Sequence, residues 1–407
     1  MGCRVALGDV CSFYRGASVP RTRMYDKGAY LYIHYGDLYK GFDLHIDVED
    51  PAKPIPYILN NEKIKDSQRL RDQDIVYVLT SETVDDLGHA YLFNNPKEKP
   101  TISGTETTIV RVNRRDLVVP AYLNYLMSSP RFIRELRQYT RGMKVFRVHP
   151  KDVARIEIDL PQTEVQHQIV SILDAIYAKQ QANSKLNGYL ADAVDGLFEK
   201  ALGQAGEKTL TDVIEILSGG TPKTKISEYW EDGEIPFFGP GDANGSTYCL
   251  TTAKHITQLG LENCNSELYP VDTVFLTARG TVGKVAMAGK PMAMNQSCFA
   301  FRGLGVSQPA VYQIIKRAVR SLKAKANGAT FAAINTRDLK IEEILVPSDE
   351  ELAAFEEEAA SLHSMMRVNE EESLKLSSLR DALLPKLIAG EIDVSKIDLT
   401  QLNSHLA

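Results

Sequence analysis

The sequence predicts an α+β protein: two β-rich domains related by internal duplication, separated by two long helices that pair antiparallel as a coiled coil. Three observations support this. An ordered series of residues recurs in the two halves, a heptad-spaced apolar pattern follows each half, and the composition is that of a folded globular chain. At 407 residues the chain exceeds what one ordinary core holds, so two or three domains are expected.

The repeat comes first. Shifting the first half by 186 positions places Gly142 on Gly328, Lys151-Asp152 on Arg337-Asp338, Ile158 on Ile344 and Pro161 on Pro347. The register continues unbroken from Ile169, Ile176, Asn183, Leu190 and Leu197 onto Phe355, Leu362, Asn369, Leu376 and Leu383. Upstream the offset drifts towards 203: "LGDVCSFYRGASVP" (7–20) resembles "LTDVIEILSGGTPK" (210–223), and Gly36-Asp37 resembles Gly241-Asp242. "DIVYVLT" (74–80) resembles "DTVFLTA" (272–278), and Gly88 answers to Gly283. The first copy thus carries roughly 17 extra residues.

These boundaries divide the chain into a first domain (1–161), a first helix (162–205), a second domain (206–347), a second helix (348–392) and a tail (393–407). Pro161 and Pro347 end the preceding strands because proline donates no ladder hydrogen bond. Both helices then open on capping and acidic residues that suit the helix dipole. The first stripe runs Ile169, Ile172, Ile176, Leu186, Leu190, Ala193, Leu197, and is interrupted at Lys179 and Asn183. The second runs Leu352, Phe355, Ala359, Leu362, Met366, Asn369, Leu376, Leu383, Leu387. Such spacing marks a coiled-coil seam, in which one Asn per helix sets register at some cost in stability. About 36 helical residues make a rod on the order of 50–55 Å. The alternative is two amphipathic helices lying separately on their own domains. Gly in "ALGQAG" (201–206) and "IAGEID" (388–393) fits a C-cap, and Pro385 predicts a kink or an early end.

Charge is uneven. Net charge is −6 and mean hydropathy −0.22, yet Lys or Arg recurs at 111, 114, 115, 131, 134, 137, 141, 144, 147, 151 and 155. From Asp349 to Glu372 carboxylates dominate. Phosphate responds to the local field, so the basic stretch suits nucleic acid; a solvated face is the plainer reading. Five cysteines (Cys3, Cys11, Cys249, Cys264, Cys298) lack CxxC spacing and a leader-like segment is not apparent, so reduced thiols and a cytoplasmic location are expected. No apolar run approaches the ~20 residues of a membrane span.

Catalytic patterns fail. "FFGPG" (237–241) has the form of an S-adenosylmethionine loop, but polar "DANGSTY" follows where a helix should open. "GTVGKV" (280–285) has the wrong spacing for a phosphate loop, and the eight histidines form no H-x3-H or HExxH array. No catalytic residue and no metal site is expected.

Several motifs resemble the specificity subunit of type I restriction–modification enzymes: "LSGGTPKTKISEYWEDGEIPFF" (217–238), "TARGTVGKVAMAG" (277–289), "NQSCFAF" (295–301), "ANGATFAAINTRDLKIEEILVPSDEEL" (326–352) and "LKLSSLRDALLPKLIAGEIDV" (374–394). The resemblance covers essentially the whole chain, and the first half departs most, with Gly-Ala-Ser-Val-Pro in place of Gly-Gly-Thr-Pro. It implies two target recognition domains reading a bipartite, asymmetric site in double-stranded DNA. It also implies helices that dock two methylation subunits, joined by restriction subunits. S-adenosylmethionine, ATP and Mg would belong to those partners, and this chain would be a non-catalytic DNA-recognition subunit with no cofactor of its own.

Base discrimination needs bidentate side chains and grip needs phosphate-directed cations. The candidates in the first domain are Arg15, Arg21, Arg23, Tyr35, Lys40, Arg141, Lys144 and Arg147. In the second they are Lys223, Lys225, Arg279, Lys284, Asn295, Gln296, Lys325 and Asn327. Asn295 and Gln296 have the chemistry for adenine, and a strand-end network is their alternative; Tyr229 and Trp230 are read as packing residues. A scaffold whose helices assemble protein partners and whose β domains bind a non-DNA ligand is the competing function.

Overall fold

The computed structural model describes residues 2–39, 42–50, 53–84, 86–325 and 333–397. The chain divides into two compact units, Met1–Ala178 with Ser377–Ala407, and Lys179–Leu376. Each long helix contributes to both units.

In the first unit a five-stranded sheet runs in the order Cys11–Arg15, Thr107–Val112, Ile75–Val78, His89–Asn94, His45–Asp47. All neighbours are antiparallel except the last pair, which is parallel. A second sheet sets Tyr30–Ile33 between Tyr57–Ile58, antiparallel, and Thr101–Ser103, parallel. Cys3–Ala6 pairs with Glu157–Leu160, closing the domain next to the first helix.

The second unit repeats this plan strand for strand. Its five-stranded sheet runs Ile214–Ser218, Cys298–Gly303, Val274–Thr277, Val285–Ala288, Tyr248–Cys249, again with a parallel last pair. Ile235–Phe238 lies between antiparallel His255–Ile256 and parallel Ala293–Met294. Gly206–Thr209 pairs with Glu343–Val346, at offsets of 203 and 186 from the matching first-unit pair. Gly88 and Gly283 occupy matching positive-φ turns, donating to Val78 and Thr277 respectively. One register differs from the sequence reading. The ladders equate Ile75 with Val274, so the segment at 74–80 is one residue out of its expected alignment. A pairing peculiar to the first unit among the described residues joins Thr80–Ser81 to Phe146–Arg147.

The first long helix is Thr163–Ala201 and the second is Asp349–Ile388. In the second unit they run antiparallel. Asn183 Nδ2 donates to Glu372 at 2.7 Å, Asn187 Nδ2 to the Met366 carbonyl at 3.0 Å, and Phe198 meets Phe355 edge-on at 5.1 Å. Leu190, Val194, Phe198 and Ala201 share one core with Leu352, Phe355, Ala359 and Met366. In the first unit Ile169, Ile172 and Leu173 share a core with Leu384 and Leu387, while Ile176 is buried. Leu197, Leu362 and Leu383 are partly buried against these cores, and Leu376 is buried.

Two helical expectations are corrected, and of the two outcomes considered at Pro385 the early end does not occur. Leu186 is 41% exposed and Ala193 also faces solvent, because the buried stripe passes instead through Val194 and Phe198. The first helix ends through a 3-10 turn at Leu202–Gln204, without a left-handed glycine. The second continues past Pro385 to Ile388 and closes at Gly390 (φ 71°), with Glu391 N–H donating to the Lys386 carbonyl and Gly390 N–H to that of Leu387. That is a Schellman cap. Among the described residues no helix is long and apolar enough to cross a membrane, and no group of three or more His, Cys, Asp or Glu is placed to hold a metal.

Candidate nucleic-acid interface

Local chemistry shapes one cationic cleft in the first unit. Arg141 and Arg147 exchange two backbone hydrogen bonds, 2.9 and 2.8 Å, and form the neck of a hairpin. Gly142 turns it at φ 114°; a Cβ there would meet the Val145 carbonyl oxygen at 2.1 Å, so glycine is required. Below the neck, Phe146–Arg147 is paired to Thr80–Ser81, and Val148 N–H donates to the Leu79 carbonyl at 2.9 Å. His149 then caps the short helix Pro150–Val153, its Nδ1 accepting from Lys151 N–H. These elements bring Arg141, Arg147 and Lys151 beside Arg15, at the end of the strand paired to Thr107–Val112, around a cleft of about 880 Å³. Its floor includes Phe13 and Leu79.

The cleft's charge is partly balanced. Arg141 pairs with Asp152 at 2.9 Å, and Arg147 lies 4.0 Å from Glu106. Arg15 and Lys144 are exposed and form no ion pair among the described residues. The wider basic run is more neutral than its composition suggests. Arg111 makes a bidentate bond to buried Asp74 at 2.6–2.8 Å, Arg114 pairs with Asp116 at 2.7 Å, and Arg131 with Asp159 at 3.3 Å. Asp74, just before the neighbouring strand Ile75–Val78, raises the Arg111 pKa further, and the pair is structural.

The other first-domain candidates lie outside this cleft. Arg21 donates to Asp37 at 2.8 Å and lies beside His34 Nδ1, whose pKa is lowered by burial and then by that cation. Arg23 pairs with Glu62 at 3.3 Å, and Tyr35 packs on His34 and Tyr39. Lys40 lies outside the described residues.

In the second unit the loops gather Arg279, Lys284, Asn295 and Gln296. Ala278 and Arg279 N–H both donate to the Ser297 carbonyl, Thr281 Oγ1 donates to the Pro240 carbonyl at 2.7 Å, and Lys284 Nζ to that of Ala243 at 2.7 Å. Gly280 and Gly283 sit at φ 80°, the left-handed region that suits their residue type. Asn295 Oδ1 accepts from Ser297 N–H at 2.9 Å, and Gln296 accepts from Thr221. Asn295 thus shapes a turn, while Arg279 and Gln296 remain exposed. Lys223 and Lys225 are exposed on a separate loop, where the Lys223 carbonyl accepts from Trp230 Nε1 and Trp230 packs edge-on against Phe237. Lys325 is drawn to buried Glu342 at 2.8 Å. Asn327, with Gly328, lies outside the described residues. After Phe238 the "FFGPG" stretch turns through Gly239 N–H to Asp242 at 2.8 Å, and no helix opens there.

Two features escaped sequence reading. Lys151 joins the cleft, and its position is signalled by the His149–Pro150 helix start, which matches Asn335–Thr336 at an offset of 186. A hairpin tip at Met143 stands beside the cleft with the side chain 93% exposed.

Residues 4–188 and 205–371 match the family model described as the type I restriction modification DNA specificity domain. The chain belongs to this family. A type I restriction enzyme specificity subunit, MjaIX, of Methanocaldococcus jannaschii is 35% identical over 152 residues, which is 35% of this chain and 34% of that protein. The HindI specificity subunit of Haemophilus influenzae is 28% identical over 197 residues, 46% of this chain and 41% of its own. The chain thus matches less than half the length of these two specificity subunits. A crystal structure of the S subunit of a type I restriction-modification system from M. genitalium is 14% identical, covers 95% of this chain and 96% of its own, and has a TM-score of 0.55. It shares the fold.

Proposed function

We propose that the chain is the DNA-reading subunit of a type I restriction–modification complex. Each β-rich unit reads one half of a bipartite, asymmetric site in double-stranded DNA, and the chain performs no chemistry. The observation that carries this reading is the recurrence of one strand plan in two units with different loop residues: Arg15, Arg141, Arg147 and Lys151 around a cleft in the first, Arg279 and Gln296 on loops in the second. Two unlike heads are what an asymmetric two-part sequence requires. Cations supply phosphate grip and side-chain donors supply base discrimination, each good bidentate contact being worth about 1–3 kcal/mol.

The long helices dock two methylation subunits, which bind S-adenosylmethionine, and restriction subunits using ATP and Mg complete the assembly. The test is the genomic methylation pattern in cells with and without the chain. Loss of one gapped, asymmetric adenine motif is expected; an unchanged pattern sinks the proposal. Footprinting of the complex with its methylation subunit should show two protected patches, and one continuous patch would count against two half-sites.

A further inference from the structure

We infer that the hairpin 141–147 is a base-reading finger whose tip, Met143, contacts the methyl group of a thymine in the major groove; this deepens the DNA-reading function proposed above and rests on it. Isolated exposed apolar side chains are ordinary on protein surfaces. Met143 differs in its setting. It is 93% exposed at a turn whose neck is clamped by two backbone hydrogen bonds between Arg141 and Arg147. The turn is preformed, since Gly142 accepts a conformation that leaves no room for a Cβ. The ribbon is anchored in turn to Thr80–Ser81.

Charge selects the partner. Lys144 adjoins the tip, and Arg15, Arg141, Arg147 and Lys151 surround the cleft beside it. An apolar point beside a cluster of cations, of which Arg15 and Lys144 form no ion pair among the described residues, matches a polyanion whose interior presents apolar groups, which describes duplex DNA. Groove width decides the side. A two-stranded ribbon enters the major groove, about 12 Å wide, and not the minor groove, about 6 Å wide. At the major-groove edge the apolar feature of a base pair is the thymine methyl. A long, unbranched thioether adapts to such a contact. Val145, partly exposed on the same hairpin, widens the apolar point.

The experiment uses the full chain in complex with its methylation subunit and duplexes carrying the recognised sequence. Met143→Ala should weaken binding to the specific duplex about tenfold. It should leave binding to an unrelated duplex, the salt slope and the thermal midpoint unchanged. Replacing one thymine of the first half-site by uracil should cost the wild type the same factor and cost Met143→Ala nothing further. Lys144→Ala, by contrast, should lower the salt slope by about one on both duplexes. An unchanged specific affinity for Met143→Ala, or additive losses at every thymine, overturns the finger. So does a first half-site without a T·A pair. If the wild-type complex fails to distinguish the two duplexes, the DNA-reading function itself falls, a result separable from failure of the finger alone.

Discussion

The Tyr248 hydroxyl lies 3.3 Å from Nδ1 of His363, with the two rings set edge-on at 6.0 Å. Tyr248 is on the parallel edge strand of the second unit's sheet and His363 on the second long helix. The same two places in the first unit hold His45 and Tyr177, stacked at 4.3 Å. The residue types are exchanged. In each unit a tyrosine from a domain helix joins the pair: Tyr125 beside His45, Tyr312 beside His363. An aromatic trio therefore seats a long helix on a sheet edge in both units, and the shape of the contact outlived the identity of its members.

Burial lowers the His363 pKa from 6.5 to about 4, aided by the Lys316 charge, and its buried Nε2 has no hydrogen-bond partner among the described residues. Above pH 6.5 the imidazole is neutral in both the folded and the unfolded chain. As pH falls towards 4 only the unfolded chain takes up the proton, so stability is progressively lost and the loss levels off below 4. The full span is about 3 kcal/mol. Denaturant midpoints at pH 7 and pH 4.5 should show a smaller acid loss for His363→Gln than for the wild type.

Arg111 and Asp74 form a largely buried pair. Arg111→Ala strands a buried carboxylate and should cost about 3–5 kcal/mol, whereas the double replacement Arg111→Met with Asp74→Leu should recover most of it. Urea unfolding of the three variants checks this. DNA affinity of the folded fraction should be unmoved, since this cation is occupied.

Phe198 and Phe355 meet edge-on in the apolar part of the second unit's helix pair. Phe355→Ala should destabilise that unit by about 3–5 kcal/mol. Chemical denaturation followed by helix signal measures it.

The neighbouring polar layer behaves differently. Asn369 Nδ2 donates to Asn187 Oδ1 at 2.8 Å, and Asn187 donates on to the Met366 carbonyl. A double-mutant cycle with Asn187→Ala and Asn369→Ala should return a coupling of about 1 kcal/mol. Additive effects would mean the bond contributes nothing net.

On the DNA side, Arg15→Ala and Arg147→Ala should each weaken binding across sequences and reduce the salt slope by about one. Titrations at several salt concentrations separate this from a loss of specificity.

Legibility in the sequence followed physical range. The second helix, Asp349–Ile388, was readable to within a few residues of the expected 348–392, because proline and serine precede it, a glycine ends it, and its seam is continuous. The first seam was misread at Leu186 and Ala193, which are exposed, while Leu190 and Leu197 pack as expected. A straight α-helix drifts ~20° per heptad from a strict seven-residue repeat, which moves burial onto Val194 and Phe198. The register at Ile75–Val78 slipped by one because all four residues are buried, so no in–out alternation marks their faces. The cationic run misled for another reason. Arg111 is neutralised by a residue 37 positions away, and such pairing exists only once the sheet is formed. Conversely, Arg15 and Lys151 are far apart in sequence and become neighbours of one cleft only through the fold.

A chain that encodes one sheet twice gives each nascent half a look-alike to mispair with while it folds. At one edge of each five-stranded sheet the strand is only three residues, His45–Asp47, or two, Tyr248–Cys249. So brief an edge offers a foreign strand little to zip onto. Brevity there guards against the exchange of parts between siblings that duplication would otherwise invite.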